Sequence, residues 1–185
     1  MIILVDMDDT IEELLPAWCR WLNKYYGTNV NSDNVTEWEV AKFFPELTIE
    51  QVFSPLIDNS SFWKTVKPKP GAVKYLKKLV AEGNEIYIVT ASHYKNIAPK
   101  YEYIIEKYFP FIHWNHFIIT CNKQLINGDV LIDDGPHNLE NGIYNKILFT
   151  APHNKSYDTY KNNMFRADCW KDVYNIIQEL QGSQK

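Results

Sequence analysis

The chain begins with four bulky apolar residues, Ile2 to Val5, that stop abruptly at Asp6-Met7-Asp8-Asp9-Thr10. An unbroken apolar run of this length reads as a strand buried on both faces, and such strands belong to parallel sheets. Open sheets of that kind bind ligands just beyond the carboxyl ends of their strands, which is where Asp6 stands. Along extended backbone, residues two apart share a face, so Asp6 and Asp8 can look into one pocket while Met7 looks away. The competing reading is that Asp8, Asp9 or Thr10 only caps the next helix. The opening run alone leaves both readings open.

Downstream, helical and strand signals alternate. Leu14, Leu15, Trp18, Leu22 and Tyr25 recur at helical spacing, with Pro16 near the start and Gly27 as a stop. Residues 29–61 are less regular but helical in tone, with turn signals at Phe44-Pro45 and Asp58-Asn59-Ser60-Ser61. Lys67-Pro68-Lys69-Pro70-Gly71 cannot be a helix interior and reads as a crossing point between two units. The pattern then predicts a helix over 72–82, a strand over 85–89 ending at Thr90, and a helix over 99–109. Strands over 117–120 and 130–132, a short helix over 136–141 and a strand over 146–150 follow. A last helix places Trp170, Val173, Ile176, Ile177 and Leu180 on one face.

This alternation specifies an α/β fold, a Rossmann-like parallel sheet with helices on both faces. Residues 1–15 and 67–185 form its core, and residues 16–66, which lack a convincing strand, form a small helical cap inserted after the first strand. A chain of 185 residues suits one such domain. The formal net charge of −4 argues against a nucleic-acid polymer or an anionic membrane as partner. No run approaches the ~20 apolar residues of a membrane span. The opening run is too short for a signal peptide. Cys19, Cys121 and Cys169 are odd in number and in no metal-binding spacing, as suits reduced thiols, and the expected location is the cytoplasm.

Three strands thus end in polar residues, Asp6, Thr90 and Asp133-Asp134, and Lys123 lies in the loop after a fourth. Each has a bland alternative as a cap or a solvated lysine; their joint occurrence at strand ends is harder to dismiss. Charge decides what such a site must hold. Two carboxylates about 4 Å apart repel by roughly 4 kcal/mol at an effective dielectric of 20. Gathering Asp6, Asp8, Asp133 and Asp134 therefore calls for a hard cation, and Mg²⁺ prefers a few carboxylates plus waters and phosphate oxygens. Carboxylate nucleophile, magnesium, hydroxyl and lysine together describe phosphoryl transfer.

In these four segments the chain resembles the haloacid dehalogenase superfamily of phosphatases. The resemblance implies that Asp6 attacks phosphorus to form an aspartyl-phosphate, and that Asp8 protonates the leaving oxygen and then activates water. It assigns the metal to Asp6, the Asp8 carbonyl and the Asp133-Asp134 pair, and phosphate to Thr90, Ala91 and Lys123. A closer resemblance, to the 5'(3')-deoxyribonucleotidases, is carried by Pro68-Lys69-Pro70-Gly71-Ala72-Val73, Tyr101-Glu102-Tyr103, Glu106-Lys107-Tyr108-Phe109, Leu131-Ile132-Asp133-Asp134, and Leu148-Phe149-Thr150-Ala151 with His153-Asn154. It implies a nucleoside monophosphate substrate, deoxypyrimidine first. The family commonly has Gly at Asp9, Ser at Ala91 and, in animal members, a basic residue at Gly135. Ser92 or backbone N–H groups are then the expected replacements for the missing Ser, and Asp9 is expected to be a bystander.

The cap matches least. Trp38, followed by Glu39, is the expected platform for base stacking. Leu14, Phe43, Phe44 and Trp63 are further candidates for the same wall, with the cap's own core as the alternative. His153 is expected to stabilise a loop. Two other readings stay open: a phosphatase for another small phosphate ester, and a non-enzymatic phosphoacceptor or nucleotide-binding module. In a receiver-type phosphoacceptor, however, the acidic pair precedes the acceptor Asp, the reverse of the order here. The sequence leaves the oligomeric state open, a homodimer included.

Overall fold

A computed structural model describes residues 1–183. Six strands form one parallel sheet: β1 (Ile2–Val5), β2 (Glu85–Thr90), β3 (Phe117–Ile119), β4 (Val130–Asp133), β5 (Asn145–Phe149) and β6 (Phe165–Ala167), in the order β3-β2-β1-β4-β5-β6. The chain winds outward through β1, β2 and β3, then returns to the other side of β1 for β4. The carboxyl ends of β1 and β4 therefore flank the point where the winding reverses, where a crevice opens in sheets of this kind. Register brings Val5 beside Ile132, and the Asp6 N–H donates to the Ile132 carbonyl at 2.8 Å.

The apolar runs are unbroken because both faces of the sheet are covered. Ile3, Val5, Ile88, Ile132 and Ile147 point into the larger cluster, while Leu4, Val89, Leu131 and Leu148 point into a smaller one on the opposite face. Helices α1 (Leu14–Tyr26), α2 (Ile49–Ile57), α3 (Ser60–Trp63), α4 (Ala72–Ala81), α5 (Ile97–Lys100), α6 (Pro136–Leu139) and α7 (Trp170–Gly182) complete the fold. The connection from β3 to β4 presses on β1 at Gly128, where a Cβ would lie 2.7 Å from Leu4 Cγ. Among the described residues no helix is long and apolar enough to cross a membrane.

The helical insertion leaves and rejoins the sheet at one place. Glu13 N–H donates to the Lys67 carbonyl and Lys69 N–H to the Ile11 carbonyl, each at 2.8 Å. Helix α1 begins at Leu14, so the expected boundary after residue 15 falls inside its first turn. Pro16 is tolerated there because the first amides of a helix have no partner within it. Helix α2 opens on a capping box: Gln51 N–H donates to Thr48 Oγ1, and Gln51 Oε1 accepts from Thr48 N–H.

Three local expectations needed correction. The segment predicted as a helix over 99–109 starts at Ile97 and widens after Lys100 into π-helical turns over Tyr101–Glu106. The helix after β4 ends at Leu139, two residues early. Strand β6 was not foreseen: Phe165-Arg166-Ala167 is three residues long, with an exposed Phe and a charged centre, and carries no apolar run.

Candidate active site

The strand ends converge. Ligand oxygens of Asp6, Asp133 and Asp134 all lie within 4.8 Å of one another, and all three residues are buried. Lys123, 1% exposed, reaches between them from the loop after β3, donating to Asp6 Oδ1 and, at 2.6 Å, to Asp133 Oδ2. Burial works against its ammonium, but the charges of Asp6 and Asp133 outweigh it and hold the proton more firmly than usual. One lysine cannot balance this much negative charge. Burial, reinforced by Asp133 and Asp8 and opposed by Lys123, raises the Asp6 carboxyl to about 7. Burial, then the charges of Asp6 and Asp133, push Asp134 well above the carboxylate range.

The two members of the acidic pair differ in what they have left to offer. Asp133 is the more engaged: Oδ1 accepts from Gly135 N–H at 2.8 Å and Asn138 Nδ2 at 3.0 Å, and Oδ2 from Lys123. Asp134 faces the cavity, and His153 Nε2 lies 3.4 Å from its Oδ2. His153 also contacts the Asp134 carbonyl at 3.1 Å, which Asn154 Nδ2 approaches at 2.7 Å. Burial lowers the His153 pKa, so the ring is neutral near pH 7. The donor set, all oxygen, desolvated and over-charged, suits a hard divalent cation.

Thr90 is fully buried, its Oγ1 3.0 Å from Ser92 Oγ. Ala91 lines the cavity beside Lys123. Ser92 is not free to take the place of the missing Ser, because its hydroxyl is engaged by Thr90 and by Lys100.

Asp9 is no bystander. Its backbone is left-handed, φ +53°, a conformation that glycine adopts without cost and that Asp tolerates better than most residues. Its carboxylate accepts from Leu15 N–H at 3.1 and 3.0 Å, holding the start of α1. The capping role weighed for the opening acids thus falls to Asp9, which also lines the cavity together with Asp6 and Asp8. Burial raises the Asp9 carboxyl to about 6, against the pull of Lys69.

Two charged residues of the site were missed. Lys100, 1% exposed, donates to Asp8 Oδ2 at 2.6 Å. Glu12 is fully buried next to Asp8, and burial, then the Asp8 charge, push its carboxyl well above the usual range. Asp8 Oδ1 and both Glu12 oxygens are buried without a hydrogen-bond partner. Nothing in the local pattern marks either: Lys100 reaches Asp8 across 92 residues, and Glu12 is brought against Asp8 by the fold of their shared loop.

Above this floor opens a cavity of about 850 Å³ whose far wall comes from the insertion. Trp38 and Leu14 line it, joined by Trp18, Val35, Val40, Ile49 and Phe53, which the sequence did not single out. Trp38 stays 55% exposed, its indole edge-on to His137 (4.6 Å) and His153 (5.0 Å) of the core. Phe43, Phe44 and Trp63 are not on this wall. Phe44 and Trp63 are buried in the main core and Phe43 packs against it, because a small insertion needs its large aromatics to make an interior. The Trp63 Nε1–H donates to the Leu56 carbonyl at 3.1 Å, which fixes the ring inward.

Solved structures share this architecture. A haloacid dehalogenase family hydrolase from Deinococcus radiodurans, with bound phosphate and sodium, aligns over 96% of this chain and 95% of its own with a TM-score of 0.69 at 12% identity. A haloacid dehalogenase-like protein from Streptococcus pneumoniae gives a TM-score of 0.65 at 13% identity over 96% of this chain and 98% of its own. The fold is that of the haloacid dehalogenase hydrolases. Sequence comparison narrows the class. The family model "5' nucleotidase, deoxy (Pyrimidine), cytosolic type C protein" matches residues 1–184. A 5'(3')-deoxyribonucleotidase of Clostridium acetobutylicum is 33% identical over 96% of this chain and 94% of its own. One of Bacillus subtilis is 30% identical over 93% of this chain and 95% of its own. The chain belongs to this deoxyribonucleotidase family of haloacid dehalogenase-type phosphatases, and is a phosphoric monoester hydrolase.

Proposed function

We propose that the protein hydrolyses nucleoside monophosphates, deoxypyrimidine nucleotides first, through an aspartyl-phosphate on Asp6. What carries the reading is the junction of two surfaces: a buried floor of Asp6, Asp134 and Lys123 beneath an apolar wall bearing a half-exposed indole. The floor suits a phosphate and a metal; the wall suits a flat, weakly polar group. Their union in one cavity fits a nucleotide better than a sugar phosphate, which would leave Trp38, Val40 and Phe53 facing hydroxyls.

Asp6 attacks phosphorus as the ester bond to the leaving oxygen breaks, and Asp8 gives that oxygen its proton. Water then attacks the phosphorus, its proton passes to Asp8, and the Asp6–phosphorus bond breaks. Lys123 draws charge from the nucleophile and the phosphate. Ala91 lines the phosphate side beside it, and Thr90 supports that loop from below. Mg²⁺ would be held by Asp6, the Asp8 carbonyl and Asp134, with Asp133 orienting Lys123 and the turn at Gly135. That ion supplies charge neutralisation for the phosphate oxygens. The core (residues 1–15 and 67–185) would perform the chemistry and the cap (residues 16–66) would select the substrate. Free Cys19, Cys121 and Cys169 fit a reducing compartment such as the cytoplasm.

The test is phosphate release from dUMP, dTMP, the matching ribonucleotides and a set of sugar phosphates, with Mg²⁺ and after chelation. Preference for nucleotides by at least tenfold in kcat/KM is the expected result. Equal rates on sugar phosphates would assign the site to another small phosphate ester.

A further inference from the structure

One buried cation is left without a task once phosphate and metal have been assigned. Lys100 closes α5, immediately before the π-helical turns of Tyr101–Glu106. Such widened turns occur often at functional sites. The ammonium donates to Asp8 Oδ2 at 2.6 Å and to Ser92 Oγ at 2.8 Å, and lies 5.1 Å from the centre of the Trp63 ring. Ser92 in turn meets Thr90. Three separate segments thus meet on one charge: the end of β2, the insertion through Trp63, and the loop after β1 through Asp8. A lysine is almost never buried this completely unless it is paired, and here its charged partner is Asp8.

We propose that Lys100 is a positioning residue for Asp8, fixing the carboxyl that moves the proton, and that it ties this carboxyl to the Thr90 loop through Ser92. The inference rests on the roles given to Asp6 and Asp8 above. In the first half-reaction the proton on Asp8 goes to the leaving oxygen as its bond to phosphorus breaks; in the second, the proton of the attacking water goes to Asp8. Both transfers need the carboxyl within hydrogen-bond reach of an oxygen bound to, or approaching, phosphorus. A misplacement of about 1 Å can cost on the order of 100-fold in rate.

The experiment compares leaving groups with the magnesium-loaded enzyme. Lys100→Met is expected to lower kcat/KM for a nucleoside 5'-monophosphate by about 100-fold, but for p-nitrophenyl phosphate by no more than about threefold, since nitrophenolate departs without a proton. Lys100→Arg, which keeps the charge and the donors, should recover most of the nucleotide rate. Equal losses on both substrates, or no loss on either, would overturn the assignment. Should Lys100→Met fail to fold, Lys100→Gln is read by the same ratio. Asp6→Asn runs alongside: turnover surviving there would remove the underlying mechanism, whereas a dead Asp6→Asn beside an unaffected Lys100→Met removes only the role of Lys100.

Discussion

At the floor of the cavity Asp6, Lys123 and Asp133 are almost wholly buried and interlocked by ion pairs, and each hangs from a strand end or the loop beyond one. On the opposite wall Trp38 is half exposed, sits between two short 3-10 turns, and is steadied by edge-on contact with two histidines. The floor takes its geometry from a hydrogen-bonded parallel sheet, whose register sets where its groups stand. The wall takes its geometry from side-chain packing on irregular backbone. In the proposed reading the floor does the reaction and the wall accepts the substrate, so changes in the two should affect different measurements.

The sharpest break is at the floor. Asp6→Asn should abolish turnover, a loss on the order of 10⁴-fold or more, while the fold survives. Circular dichroism and phosphate release check both halves, and retained activity would refute covalent catalysis by Asp6. Removing the metal comes next. The raised carboxyls of Asp6 and Asp134 bind more protons folded than unfolded, so in the metal-free protein their contribution to stability is fully present below about pH 4 and is lost as pH rises, through about 7 for Asp6. Mg²⁺ at 100 times its Kd should restore about 2.7 kcal/mol at neutral pH. Thermal melts across pH, with and without Mg²⁺, would expose an error if the metal-free Asp134→Asn variant gained nothing over the unchanged protein between pH 4 and 7. Asp134→Asn should stabilise the metal-free protein at pH 7 and abolish its response to Mg²⁺.

At the wall the effects should be smaller and selective. Trp38→Ala is expected to raise KM for nucleotides by about 10-fold, from the ~1–3 kcal/mol of a stacked base, with little change for p-nitrophenyl phosphate. Equal changes in both KM values would remove the stacking role. The smallest effect tests the joint between the regions. Asp9→Gly relieves the left-handed backbone but gives up the cap on α1, and should shift stability by less than about 1 kcal/mol. Asp9→Ala keeps the backbone cost while losing the cap, so it should destabilise by about 1–2 kcal/mol. Denaturant melts of the pair distinguish the two contributions, and equal losses would mean that φ at Asp9 costs nothing.

The sequence was legible where local pattern and global position coincide. Ile2 to Val5 and Val130 to Ile132 announce strands buried on both faces, and the residue following such a run stands at the mouth of the sheet whatever the rest of the chain does. That suffices to bring Asp6 and Asp133-Asp134 forward as one group. Lys123 was found through its place in the order of motifs. Among the cap aromatics the sequence put Trp38 forward and left Phe44 and Trp63 between cavity wall and cap core; that both fill the interior is set by how α1, α2 and α3 pack.

By itself, then, the sequence determined the parallel sheet, the position of its acids and the chemistry they imply, because strand periodicity and charge repulsion act over a few residues and leave little choice. Only the tertiary structure decided that Asp133 is held by Gly135, Asn138 and Lys123 while Asp134 faces the cavity, that Asp9 sustains the start of α1, and that Lys100 and Glu12 close around Asp8. The Lys100 contact joins segments 92 residues apart in a desolvated space, and even the shorter-range contacts of Asp9, Glu12 and Asp133 follow from how the loops fold against the sheet rather than from any local pattern.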